Sequence, residues 1–141
     1  MRKSLWILLL VTLAAILATT ASASGRRQSR QLTQAQESFA VMLRWGEFED
    51  AWQMLDPEYR EAHPMTELEI NRYQQVRVSR YRPGTNSRTE DGSVIRMVEI
   101  GVINVHTQAE RRIRYREQWR WDPSAKRWWQ TGGLPDFWAG E

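Results

Sequence analysis

Glu117 is the residue whose setting most invites acid–base chemistry. In the run from Arg111 to Trp121 (RRIRYREQWRW), Ile113, Tyr115, Glu117, Trp119 and Trp121 alternate with Arg112, Arg114, Arg116, Gln118 and Arg120. A period of two is that of a β-strand with one apolar and one solvated face. Glu117 therefore shares the apolar face with Tyr115 and Trp119. A lone carboxylate anion is strongly disfavoured there, so the group must be paired, hydrogen-bonded or protonated. A carboxyl so placed is a candidate acid–base residue, and the alternatives are a structural pair with an arginine or a sheet-edge position open to water. His106 and Glu99 on the preceding strand, with Tyr73, Tyr81 and Tyr115, are the other groups able to move a proton.

Binding chemistry is suggested by the opposite face. Arg112, Arg114, Arg116 and Arg120 line it, with Arg77 and Arg96 on neighbouring strands. Such a ladder suits an acidic protein, an anionic glycan or lipid headgroups, and is equally the solvated outer face of a sheet. Trp128 and Trp129 are adjacent on a strand and point to opposite faces. One joins Trp119 or Trp121 in the core, and the other needs cover from the C-terminal tail or a partner chain. With Trp119 they complete the candidate binding set, an exposed ring being a platform for sugar. His63 and His106 are the only histidines and there is no cysteine, so no metal site is expected. Neither a glycine-rich phosphate loop nor a G-x-S-x-G elbow occurs, and no cofactor is expected.

The N-terminus bears on where this chemistry would operate. Met1-Arg2-Lys3-Ser4 is basic, Leu5 to Ala18 is apolar, and Ala21-Ser22-Ala23 has the form of a signal-peptidase site. The pattern predicts a bacterial export signal over 1–23, or an uncleaved anchor using the uncharged stretch Ser4 to Gly25. The remainder would then be periplasmic or secreted, or anchored to the inner membrane facing the periplasm. Loss of Arg2 and Lys3 leaves 20 − 2 = 18 basic residues against 17 acidic ones, so nucleic acid is not an expected partner. With no cysteine there are no disulfides, and packing must hold the fold. Of eight tryptophans only Trp6 lies in 1–23. Each of the others can bury about 200 Å², worth at most ~5 kcal/mol.

The elements that must position these residues follow in chain order. Ser24 to Leu32 (SGRRQSRQL) lacks apolar periodicity and reads as a flexible basic linker, with one domain over 33–141. Thr33-x-x-Gln36 and Thr66-x-x-Glu69 are capping-box patterns. Apolar spacing predicts helices at about 34–45 and 47–55, and a third at about 66–73. Strands follow at 75–82, 94–106, 111–121 and 127–131, with Gly101 the expected bulge. Gly132-Gly133 and Pro135 are expected to fold Phe137 and Trp138 back over the second indole of the Trp128-Trp129 pair. Helices followed by antiparallel strands make an α+β fold.

A glycine-interrupted helical pair ending in Trp52-Gln53-Met54-Leu55-Asp56-Pro57-Glu58-Tyr59-Arg60, followed by meandering strands, resembles the nuclear-transport-factor-2-like superfamily over residues 33–131. The likeness lies in element order and hydrophobic pattern. It implies N-terminal helices packed on a curved four-stranded antiparallel sheet, cone-like, whose inner face lines the pocket in catalytic members. That superfamily holds ketosteroid isomerases, polyketide cyclases, dehydratases and non-catalytic scaffolds, so fold does not select the function. Without a recognisable nucleophile–base pair, metal cluster or phosphate loop, the expected function is a non-enzymatic binding or interaction domain of the bacterial envelope. Its partner would be an unknown protein or an anionic envelope component, and its state monomer or homodimer. Membrane contact is expected only if the N-terminal segment is uncleaved. The rivals are an isomerase or cyclase using Glu117, with His106 and Tyr115 as further candidates, and a membrane-anchored subunit of an envelope complex.

Overall fold

The computed structural model describes the backbone of residues 2–138 and the side chains of residues 23–138. Four helices come first: α1 (Arg2–Trp45), α2 (Phe48–Gln53), α3 (Pro57–Ala62) and α4 (Glu67–Tyr73). Five strands follow: β1 (Val76–Pro83), β2 (Ser87–Arg88), β3 (Val94–Asn104), β4 (Glu110–Asp122) and β5 (Arg127–Gln130). The side chains behind the export-signal or anchor expectation lie outside the described residues, apart from Ala23, Ser24 and Gly25. Among the described residues, no helix is long and apolar enough to cross a membrane.

Two compact units divide the chain, Met1–Gln34 and Ala35–Glu141. In the first, residues 24–32 are helical, where a flexible linker was expected. Thr33 does not open a helix; its hydroxyl donates to the Ser29 carbonyl one turn earlier, at 3.2 Å. Arginine and glutamine are good helix formers, and extending an existing helix costs far less than starting one. Missing apolar periodicity means only that this stretch has no buried stripe.

In the second unit, α1 ends at Gly46, which takes φ 77°. Its N–H bonds the Leu43 carbonyl at 3.3 Å, and that of Glu47 bonds Met42 at 2.9 Å, a Schellman stop. Asp56 caps α3 by accepting from the Glu58 amide at 3.0 Å, with Pro57 opening the helix. The expected capping box of Thr66 and Glu69 opens α4.

The strands form an antiparallel sheet in the order β1-β3-β4-β5, with β2 paired to β3, and the sheet curls into a half-barrel. The fold is thus α+β, with helices packed on a curled antiparallel sheet. Phe39 of α1 meets Trp119 of β4 edge-to-face at 5.6 Å, and both are fully buried. The bulge lies in β1 rather than at Gly101: Val78 pairs Val102 and Arg80 pairs Gly101, leaving Ser79 unpaired. A Cβ on Gly101 would sit 3.2 Å from that of Arg80, so this glycine makes room for the neighbouring strand's bulge.

The end of the chain departs from expectation. Phe137 is fully buried, but against Phe48 and Tyr73 at 5.7 and 5.8 Å, not over a tryptophan of β5. Trp138 continues that cluster, 5.4 Å from Tyr73 and beneath the Arg72 guanidinium at 4.0 Å. The second indole, Trp129, finds its cover locally: Arg127 lies over it at 3.9 Å, and its N–H donates to Asp122 at 3.1 Å. A stacked cation and one hydrogen bond satisfy an amphipathic ring, which frees the tail to close the helical layer. Phe137→Ala should therefore cost about 3–5 kcal/mol, as for a fully buried aromatic, and half-buried Trp138→Ala less. Urea unfolding followed by tryptophan fluorescence checks the order; negligible losses in both variants would show that the tail is not core.

Candidate functional site

Glu117 and Arg96 stand directly opposite each other on β4 and β3, both turned to the inner face of the sheet. Glu117 is fully buried. Its Oε2 accepts from Arg96 Nε and from Trp119 Nε1, each at 2.8 Å. Its Oε1 accepts from Arg96 Nη2 at 3.1 Å and from the Tyr81 hydroxyl on β1. An ionised carboxylate has about four lone-pair sites, and here four donors take them. Arg96 also reaches Gln36 of α1 at 3.3 Å, and Gln36 donates to Asn86 at 3.0 Å. The network ties α1, the β1–β2 loop and three strands together. Chemically it is a satisfied pair; held this way, Glu117 has no lone pair left with which to take a substrate's proton.

Tyr115 belongs to a neighbouring cluster on the same face. Its hydroxyl donates to the Gly133 carbonyl at 2.6 Å and accepts from the Gln130 amide. Burial pushes the phenols of Tyr81 and Tyr115 well above the ordinary value, and the nearby Glu117 charge raises both further. Tyr73 is raised chiefly by burial and then by Glu69. His106 is exposed in the β3–β4 turn, at the other end of the strand pair from the Arg96–Glu117 rung. The structure therefore does not bring His106 together with Glu117 and Tyr115.

The outer face carries the arginines, with two exceptions. Arg96, expected near the ladder, points inward instead. Arg120 Nε donates to Asp56 at 3.0 Å, which holds its guanidinium more firmly protonated than usual and locks β4 to the cap of α3. Arg112, Arg114 and Arg116 remain exposed and are joined by exposed Arg77, Arg80 and Arg82 of β1. Rungs run across three strands: Arg82–Glu99–Arg114 and Arg80–Gly101–Arg112. Met97, 49% exposed, pairs with Arg116 on this face.

The candidate tryptophans are all buried: Trp119 at 0%, Trp128 at 2% and Trp129 at 8% exposure. Trp128 packs on Trp121 at 5.6 Å. The open indole is Trp45 at the end of α1, 79% exposed, which apolar periodicity alone did not single out. Surface relief lies elsewhere. A groove of about 560 Å³ runs among α2, α3 and α4, lined by Trp52, Met65 and Ile70 and by Glu49, Arg60 and Glu61. A smaller one of about 260 Å³, near the β3–β4 turn, is lined by residues including Val102, Arg111 and Trp138. Neither is lined by Glu117 or Tyr115. Among the described residues no group of three or more histidine, cysteine or acidic side chains could hold a metal. No family model matches the chain, and neither curated proteins nor solved structures give a match.

Two outcomes follow from the buried network. Arg96→Met strands a buried carboxylate and should cost about 3–5 kcal/mol, whereas Arg96→Met with Glu117→Met should recover most of it. Urea unfolding of both decides; additive losses would mean that the two side chains are not energetically coupled. The second outcome concerns alkali. Unfolded tyrosine ionises near pH ~10, and the folded phenols ionise later, so their contribution is complete below that pH and is lost above it. Melting temperature should fall steeply above pH ~10, and Tyr81→Phe should flatten the fall.

Proposed function

We propose that this chain is a non-enzymatic binding domain of the bacterial envelope that engages an anionic component through the arginine face of its sheet. The observation that carries the reading is the contrast between the two faces. On the inner face the one buried carboxylate is saturated by Arg96, Tyr81 and Trp119. On the outer face Arg112, Arg114 and Arg116 stand exposed beside Arg80 and Arg82. Side chains on one face of a strand repeat every ~6.6 Å, and strands lie ~4.8 Å apart. Phosphate, sulfate or carboxylate groups can thus bridge neighbouring guanidinium forks, each of which offers five donors. Saturation of Glu117 weighs against the isomerase or cyclase reading.

The superfamily assignment is part of the same proposal. Helices packed on a curled antiparallel sheet, with the element order read from the sequence, support placing the chain among the non-catalytic scaffolds of the nuclear-transport-factor-2-like superfamily. The basic, apolar and small-residue pattern of 1–23 supports an extracytoplasmic site of action. An anchored form, a subunit of an envelope complex held by the uncharged stretch Ser4 to Gly25, is the alternative to a cleaved one.

The test uses the full chain in non-ionic detergent, presented to immobilised heparin and to micelles doped with phosphatidylglycerol. Wild-type protein should bind at least one probe at low salt and release it as ionic strength rises, because exposed charge is screened over ~8 Å at physiological salt. Arg112→Glu, Arg114→Glu and Arg116→Glu together should abolish binding while the near-ultraviolet tryptophan signal stays native. Wild-type protein that ignores both probes at low salt would sink the proposal.

A further inference from the structure

Charge in the second unit is segregated. Between Glu47 and Glu69, the stretch that builds α2, α3 and the start of α4, the chain carries eight carboxylates against one arginine, Arg60. The outer face of the sheet carries six exposed arginines, at 77, 80, 82, 112, 114 and 116, against two carboxylates, Glu99 and Glu110. The acidic layer also holds the larger groove, lined by the apolar Trp52, Met65 and Ile70 and by exposed Glu49 and Glu61, with Arg60 the one cation among them. The basic face also carries apolar surface. Met97 stands 49% exposed opposite Arg116, with half-buried Ile95 two residues before it on the same face.

We infer that a second copy of this chain is the partner that the arginine face takes: the face of one copy docks on the acid-lined groove of the next. This rests on the reading of that face as a docking surface and names its occupant. Met97 would enter the groove over Met65 and Ile70 while Arg114 and Arg116 meet Glu49 and Glu61. An apolar contact ringed by opposite charges is the arrangement in which electrostatics set register and the buried centre supplies affinity. Two sheet faces cannot meet each other in a closed dimer, because arginine would oppose arginine, and like charges across an interface cost several kcal/mol. The contact is therefore head-to-tail. Copies joined head-to-tail close into a ring or run on as a filament, so assembly does not stop at two.

Sedimentation velocity of the full chain in non-ionic detergent tests this, with three proteins. The first is wild type, the second carries Glu49→Lys and Glu61→Lys, and the third carries Arg112→Glu, Arg114→Glu and Arg116→Glu. At low ionic strength, on the order of 0.01 M, the screening length is ~30 Å and wild type should grow steadily with concentration, without a dimer plateau. At ~1 M, where it is ~3 Å, wild type should sediment as one copy. Each variant alone should associate at least about a hundredfold more weakly, since its face and its groove then carry charge of one sign. An equimolar mixture of the two variants should associate again. The intact arginine face of the second protein meets the intact acidic groove of the third, and the reversed groove of the second meets the reversed face of the third. Wild type that stays single at low salt, growth indifferent to salt, growth unchanged by either set of substitutions, or a mixture no more associated than its components would overturn the inference. The heparin and micelle probes separate it from the wider reading: Glu49→Lys with Glu61→Lys should keep binding both. A single-copy wild type that still binds them refutes self-docking alone, and one that binds neither refutes both.

Discussion

The Arg96–Glu117 pair is the constraint around which the second unit is arranged. Two charges taken out of water are tolerable only when geometry is good and every remaining lone pair is met. Here the guanidinium lies side-on to the carboxylate, and the Tyr81 hydroxyl and Trp119 N–H complete the carboxylate's contacts. Those donors come from three different strands. Satisfying the pair thus specifies which strand lies beside which, and in what register. A slip of one residue between β3 and β4 would send one of the two side chains to the opposite face.

The rest of the inner face follows from that rung. With Trp119 fixed by its bond to Glu117, Phe39 of α1 has a ring edge to pack against, and Gln36 one turn earlier reaches Arg96. The inner face thereby gathers aromatic rings around the Glu117 network. Most of the remaining charge is left to the surface, with arginines in the majority on the outer face of the sheet and carboxylates in the majority on α2 to α4.

Much of this was legible in the residues. The alternation from Arg111 to Trp121 placed Glu117, Tyr115 and Trp119 on the buried face, and the β-branched run after Val94 placed the central strand. The need for Glu117 to be paired followed from its burial, but its partner did not. Arg96 has the same parity as Val94, Val98, Ile100 and Val102, a signal that it points inward. Expecting the phase to switch at Gly101 obscured it, since the extra residue is Ser79 on the neighbouring strand. The Asp56–Arg120 pair spans 64 positions and joins a helix cap to a strand, which no local pattern encodes. The helix through 24–32 was missed for the opposite reason: periodicity reports burial, and an unburied helix leaves none. The tail was misdirected because Trp129 needed no distant cover once Arg127 and Asp122 had closed over it.

Both margins of the sheet are finished in ways that discourage runaway strand addition. On one side, the Asp56 amide bonds the Gln130 carbonyl at 2.8 Å, and the Gln130 amide bonds Met54 at 3.1 Å, so β5 meets a short length of its own chain. On the other, β1 is interrupted at Ser79, studded with Arg77, Arg80 and Arg82, and ends in Pro83. A kink, a row of like charges and a residue without an amide hydrogen each spoil the template that an incoming strand requires. A chain with no cysteine cannot lock its fold covalently, and on every transient opening its long β-branched strand is a potential amyloid seed. Guarded borders lower that risk whenever such a chain opens and recloses.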